Sequence, residues 1–231
     1  MRMFRNLIFV CSLLFPLSVQ AELPWEFDQH TRYMALGDSL AAGFGAVPAT
    51  QGYVYLLYKG GAFDTVPNTL LSNAGVPGAT SQHVLDYQVP QAIDAFRPTV
   101  ITLTFGGNDL LGILSGADVG LVLSNFQNNL AQILGELRAY LPEARIYVSN
   151  LYTISGIPGA DVAVGAFNQI VDGVASAYSV PVADVHRAFT GKKGLLLVER
   201  HGAGQFQVHP TNAGYRAISR AFEAVIEQDA Q

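Results

Sequence analysis

Tyr33-Met34-Ala35-Leu36-Gly37-Asp38-Ser39-Leu40 is an apolar run that stops abruptly on a glycine, an aspartate and a serine, then opens into Ala41-Ala42-Gly43. It reads as a strand whose carboxyl end carries the serine. Two glycine-rich turns follow apolar, β-branched runs in the same way: Asn73-Ala74-Gly75-Val76-Pro77-Gly78-Ala79-Thr80-Ser81 and Thr104-Phe105-Gly106-Gly107-Asn108-Asp109. Open parallel sheets bind ligands outside the carboxyl ends of their strands. Three such ends, and the late segment Val208-His209-Pro210-Thr211-Asn212, are therefore expected to meet in one cleft. A serine hydroxyl is a weak nucleophile until a base takes its proton and nearby donors stabilise the developing oxyanion. Alone, Gly37-Asp38-Ser39-Leu40 also fits an ordinary turn with a capping Asp or Ser.

Working outward, short apolar runs bounded by Gly, Pro or Asp predict strands at 32–37, 68–73, 99–105, 145–150 and 180–184. Helical stripes alternate with them. Residues 119–141 place Val119, Val122, Phe126, Leu130, Ile133 and Leu137 on one face and stop before Pro142. Residues 161–178 and 212–228 repeat the pattern. Strands alternating with helices imply an α/β protein, a parallel sheet covered on both faces. Strand order does not follow from this pattern. Residues 43–51 and 110–118, rich in small or apolar side chains, read first as connecting loops and alternatively as an apolar rim beside the cleft.

The chain has 231 residues, half of them apolar, and its formal net charge is -5. That supports one sizeable core and offers no basic cluster for nucleic acid. Arg2 and Arg5 precede the apolar run Leu7–Leu17, and Ser18-Val19-Gln20-Ala21 supplies small residues for cleavage before Glu22. Residues 1–21 are thus expected to be a secretory signal peptide and 22–231 a single domain, secreted or periplasmic, with no integral membrane segment once the signal is removed. The lone Cys11 lies in the signal, so the processed chain would lack disulfides, thiolate catalysis and Cys-bound zinc. No His/Asp spacing suggests a metal site, and no cofactor is called for.

Four motifs, Gly37-Asp38-Ser39-Leu40, the Gly75–Ser81 turn, Gly106-Gly107-Asn108-Asp109 and the terminal His209, stand in the order found in the SGNH/GDSL hydrolases, and the chain resembles that family from Leu36 to the last helix. The resemblance implies a three-layer α/β/α sandwich around a mostly parallel, five-stranded, flavodoxin-like sheet. It implies Ser39 as nucleophile and His209 as base. The oxyanion donors would be the Ser39 and Gly78 backbone N–H groups and the Asn108 side chain, Gly78 being favoured over Gly75 by its spacing to the Thr-Ser pair. Asp38 and Asp109 are expected to bond local backbone N–H groups and hold their turns.

One position departs from the pattern. The family has an Asp three residues before the catalytic His; here that residue is Phe206, which offers only its backbone carbonyl. Three arrangements stay open: a Ser-His dyad helped by main chain, a triad with an acid from elsewhere (Asp184 or Glu199), or an inactive relative. The reading that results is a serine esterase or lipase acting on small-molecule or lipid carboxylic esters of short to medium acyl chain. Alternatives are a carbohydrate O-acetylesterase, a thioesterase or lysophospholipase, and a non-catalytic binding relative. Trp25, the single tryptophan, precedes the first predicted strand, leaving no evident sugar-stacking platform.

Overall fold

The computed structural model describes residues 27–154, 159–200 and 206–229. The expected signal peptide, Trp25 and His201 lie outside the described residues.

Five parallel strands form the central sheet: β1 (Thr31–Gly37), β2 (Thr69–Asn73), β3 (Val100–Thr104), β4 (Arg145–Ser149) and β5 (Val182–Ala183). Their order is β2-β1-β3-β4-β5, every neighbouring pair parallel. This is the flavodoxin-like order, which reverses direction between β1 and β3. Period-2 alternation splits the strands between two cores. Met34, Leu36, Ile101, Leu103, Ile146 and Val148 face one side; Tyr33, Ala35, Val100, Tyr147 and Ala183 face the other.

Among the described residues, eight α-helices flank the sheet: α1 (Ser39–Ala42), α2 (Tyr53–Gly60), α3 (Ser81–His83), α4 (Gly107–Leu114), α5 (Val119–Tyr140), α6 (Ala160–Ala177), α7 (Val185–Phe189) and α8 (Asn212–Asp229). Beyond α3 the chain keeps coiling in wider turns over Val84–Gln88 and Gln91–Phe96. The stripes of α5 and α6 bury Phe126, Leu130, Ile133, Leu137, Phe167 and Val171 on the first side. On the other side, Tyr215, Ile218 and Phe222 of α8 pack with Tyr53 and Leu57 of α2. Asp118 caps α5 by accepting the Leu121 N–H at 2.7 Å.

The predicted strands and the three long helices match the structure to within a residue or two. Two features differ. Residues 107–114 are helical, so the stretch 110–118 is not a plain loop. A separate antiparallel hairpin, β6 (Leu196–Arg200) with β7 (Phe206–Pro210), precedes α8 and carries His209.

Candidate active site

Gly37 explains why β1 can end where it does. Its φ is +145°, and a Cβ there would lie 2.0 Å from the Thr104 carbonyl oxygen of β3, so only glycine lets the two strand ends approach. Pairing of β1 with β2 ends at Ala35, and beyond it the Gly37 carbonyl accepts the Val76 N–H at 3.1 Å, while the Gly37 N–H has no backbone partner on that side. The buried Gln88 side chain takes that place: Gly37 N–H donates to its Oε1 at 2.7 Å, and its Nε2 donates to the Gly37 carbonyl at 2.8 Å. Asp38 follows. Its Oδ1 accepts the Leu40 N–H at 2.9 Å and opens α1, with Ser39 as the first helical residue. Burial pushes the Asp38 carboxyl up to about 7, against the lowering effect of that hydrogen bond. The expectation that Asp38 holds its own turn matches this geometry.

Ser39 Oγ and His209 Nε2 are 2.9 Å apart, across 170 positions of sequence. The imidazole is placed from several sides. β7 presents it toward the cleft, the Phe44 ring lies 4.5 Å from it, and Tyr215 of α8 fixes Phe44 by donating to its carbonyl at 2.7 Å. Tyr152 stacks on Phe189 and donates to the Val208 carbonyl at 3.2 Å, holding the strand next to the histidine.

The two glycine turns converge on the same point. Gly78 has φ +86° and lines the cleft. Among the described residues, neither its N–H nor that of Ser39 is hydrogen-bonded to the protein. Gly75 serves another purpose. It has no room for a Cβ, which would come within 2.5 Å of the Ala42 nitrogen, and its N–H donates to Asn73 Oδ1. Asn108 lies inside α4, whose N-cap is Gly106, so it is not a cap. Its Nδ2 donates to the Ala79 carbonyl at 2.8 Å and it lines the cleft beside Gly78.

Asp109 corrects a sequence expectation. It bonds across the cleft wall rather than to its own turn, accepting Ser81 N–H at 2.9 Å and Ser81 Oγ at 2.6 Å. Asn129 of α5 completes the cluster by donating to Ser81 Oγ at 3.0 Å. This clamp locks the turn holding Gly78 to the turn holding Asn108. Burial raises the Asp109 carboxyl above its ordinary range despite both serine hydrogen bonds.

The cleft between these groups has a volume of about 280 Å³. Asp38, Ser39, Gly78, Asn108 and His209 form its polar floor, with Phe105, Leu110, Leu111, Leu151 and Ile154 among its apolar walls. Ile113, which lies in the same 110–118 stretch as Leu110 and Leu111, packs against the core instead.

Asp184 lies at the carboxyl end of β5, as expected, but its carboxylate is engaged elsewhere. It caps α7 through the Arg187 N–H at 2.9 Å and accepts from Asn150 Nδ2 at 3.0 Å. It does not line the cleft. Phe206 opens β7 opposite Arg200, and Glu199 pairs with Gln207. His186 meets Thr153 Oγ1 at 3.1 Å, and His83 packs at a tilt against Tyr87. Gln88, Asn129, Phe44 and Tyr152 shape the site yet carry no local sequence signature. Among the described residues, no group of three His, Cys, Asp or Glu side chains could hold a metal ion, and no helix is long and apolar enough to cross a membrane.

Fold and cleft together define a class: an α/β protein with a hydrogen-bonded serine–histidine pair and converging N–H donors at the switch point of its sheet, an arrangement suited to acyl transfer. The chain belongs to the GDSL-like Lipase/Acylhydrolase family, which it matches over residues 35–217. It is 29% identical over 208 residues to the spore germination lipase LipC of Bacillus licheniformis, covering 84% of this chain and 95% of that one. The solved lipase Lip_vut3 from a goat rumen metagenome superimposes with a TM-score of 0.64 at 25% identity, over 84% of this chain and 96% of its own. Phospholipase A1 from Streptomyces albidoflavus NA297 has the same fold, with a TM-score of 0.64 at 19% identity over 84% and 99% of the two chains. The protein is a carboxylic ester hydrolase of this family.

Proposed function

We propose that this chain is an exported serine esterase or lipase that hydrolyses carboxylic esters of short to medium acyl chain through an acyl-enzyme on Ser39. The observation that carries the reading is the 2.9 Å Ser39–His209 hydrogen bond in a cleft that also holds Gly78 and Asn108. His209 Nε2 takes the hydroxyl proton as Ser39 Oγ attacks the ester carbonyl carbon. The oxyanion is received by the Ser39 and Gly78 N–H groups and by Asn108 Nδ2. The tetrahedral intermediate collapses, the alcohol leaves with the proton from His209, and Ser39 holds the acyl group. Water, deprotonated by His209, then attacks the acyl carbon; the bond from that carbon to Ser39 Oγ breaks, the carboxylic acid is released and His209 returns the proton to Ser39. Export rests on the signal-like residues 1–21, which would leave Glu22 as the processed N-terminus.

Chain length is supported by the cleft's size and walls. A volume of about 280 Å³ falls at the low edge of the roughly 300–1,000 Å³ spanned by small-molecule sites. A graded series of p-nitrophenyl esters tests this directly, kcat/KM rising to a short or medium acyl chain and then falling. Leu111→Trp, which fills the wall of α4, is expected to move the optimum to shorter chains. It should cost the longest productive ester about tenfold or more relative to acetate, since one methylene in an apolar pocket is worth about 10–200-fold. An unchanged profile removes α4 from the substrate site.

His209 is oriented, in this reading, by a main-chain carbonyl near Phe206, with no essential third carboxylate. A carbonyl can accept an imidazole N–H and fix the tautomer, which is the orienting half of an aspartate's role. Where a true triad loses its acid, turnover falls about 10⁴-fold. Asp184→Asn and Glu199→Gln are each expected to cost less than about tenfold, well short of a triad acid. A loss of triad size in either folded variant replaces the dyad with a hidden triad.

A further inference from the structure

On the His209 side of the cleft, two segments, residues 44–47 and β6, carry exposed apolar side chains. Phe44 packs at a tilt against His209 and is 44% exposed; Val47, three residues on, is 75% exposed. Val47 is fixed in place by Asn212, which accepts its N–H and donates to its carbonyl. On the other flank, Leu197 is the register partner of His209 in the β6–β7 hairpin. Antiparallel partners project from one face, so Leu197 stands beside the imidazole, and it is 54% exposed. Val198, on the opposite face of the same strand, is 43% exposed. Scattered apolar residues are ordinary on a surface, but four exposed on the two segments that flank the histidine of a cleft point to an interaction site.

Charge says what the partner is. The chain is acidic overall, with a net charge of -5, and has only three lysines. Two of them, Lys192 and Lys193, are exposed in the turn before β6. That turn is tied to the lip: Thr211 Oγ1 donates to the Gly194 carbonyl at 2.8 Å, and Thr211 N–H to the Leu195 carbonyl at 2.9 Å. Among the described residues, neither lysine forms an ion pair. Apolar side chains that can enter an acyl layer, flanked by a basic pair that can meet anionic headgroups, form the pattern of a surface-seeking lipid contact.

We infer that Phe44, Val47, Leu197 and Val198, with Lys192 and Lys193, form a docking lip that seats the enzyme on an anionic phospholipid surface, the cleft mouth facing the layer from which the ester is drawn. The inference rests on the ester-hydrolase reading above only for its purpose, since the binding itself needs no turnover. Ser39→Ala protein, which leaves the vesicles intact, is sedimented with phosphatidylcholine vesicles with and without phosphatidylglycerol. The expected result is preferential partitioning to the phosphatidylglycerol vesicles, weakening as salt shortens the screening length. Lys192→Gln with Lys193→Gln is expected to lower partitioning about 30-fold, about fivefold per lysine, while soluble short-chain ester turnover by the same variant with Ser39 intact stays at the parent's level. Val47→Ser with Leu197→Ser, its thermal melt confirming the fold, is expected to lose vesicle binding as well. Equal partitioning to both vesicle types, or parental binding by either double variant, overturns the lip. If only the apolar variant keeps full binding, the lysines are a polyanion patch and the lipid assignment falls. Absence of soluble ester turnover in the parent protein would overturn the proposed function and leave the vesicle result standing.

Discussion

Ser39→Ala is expected to abolish ester hydrolysis, lowering kcat by about 10⁶-fold, the loss seen when a serine hydrolase is deprived of its nucleophile. The fold has no reason to change. Ser39 Oγ makes its side-chain hydrogen bond to His209, and the turn itself is held by Asp38, which accepts the Leu40 N–H, and by Gln88, which brackets Gly37. Loss of the hydroxyl therefore removes the attacking atom and leaves the scaffold. His209→Ala should cost about as much, because without a base the hydroxyl stays protonated and inert. The two changes act on one device, so the double variant should be no worse than either single one, about 10⁶-fold below the parent rather than the product of two losses. Turnover of a p-nitrophenyl ester, in samples free of contaminating esterase, measures all three. A serine-directed phosphonate should label residue 39 in the parent and nothing in Ser39→Ala. Retention of more than a few per cent of activity, or labelling at another serine, would move the nucleophile elsewhere.

The parts of this site that could be read from the chain are those with local cues. Each central strand is a short apolar run closed by Gly, Pro or Asp, and the three turns that face the cleft follow strand ends in that way. The long helices show their stripes because one face is buried and the other is not. The hairpin is different. Leu195-Leu196-Leu197-Val198 is apolar at every position, so it shows no alternation to mark a strand, and Leu197 and Val198 are exposed. Helix α4 hid for a related reason: Leu110 to Leu114 is apolar on nearly every side and has no polar face to reveal a helical period. The polar clamps have no local signature at all. Ser81 to Asp109, Asn129 to Ser81 and Gln88 to Gly37 span 28, 48 and 51 positions, and each is decided by which strand ends the sheet order brings together. Asp109 shows the consequence. Its position suggested a turn aspartate, whereas the topology gives it a partner from the neighbouring glycine turn.

Asn108→Ala should then be the next largest loss at the cleft, about 10²–10³-fold in kcat, the cost of removing one oxyanion donor. The Asn108 amide has two hydrogens on Nδ2. One is committed to the Ala79 carbonyl at 2.8 Å, which aims the amide plane and braces the turn that carries Gly78. The other is left for charge that develops on the substrate oxygen. A donor aimed in advance needs no reorganisation during the reaction, so its effect falls on the transition state more than on the bound ester, and kcat should drop with little change in KM. The fold should tolerate the change, because the Gly78 and Asn108 turns remain joined by the Asp109–Ser81 clamp. Asn108→Asp keeps the shape, removes the donor and places a carboxylate against the oxyanion, so its loss should equal or exceed that of the alanine variant. Steady-state kinetics on one activated ester distinguishes the outcomes. A rise in KM alone, or a fall in kcat of less than about tenfold, would make Asn108 a brace for the Ala79 turn and leave the oxyanion to the two backbone N–H groups.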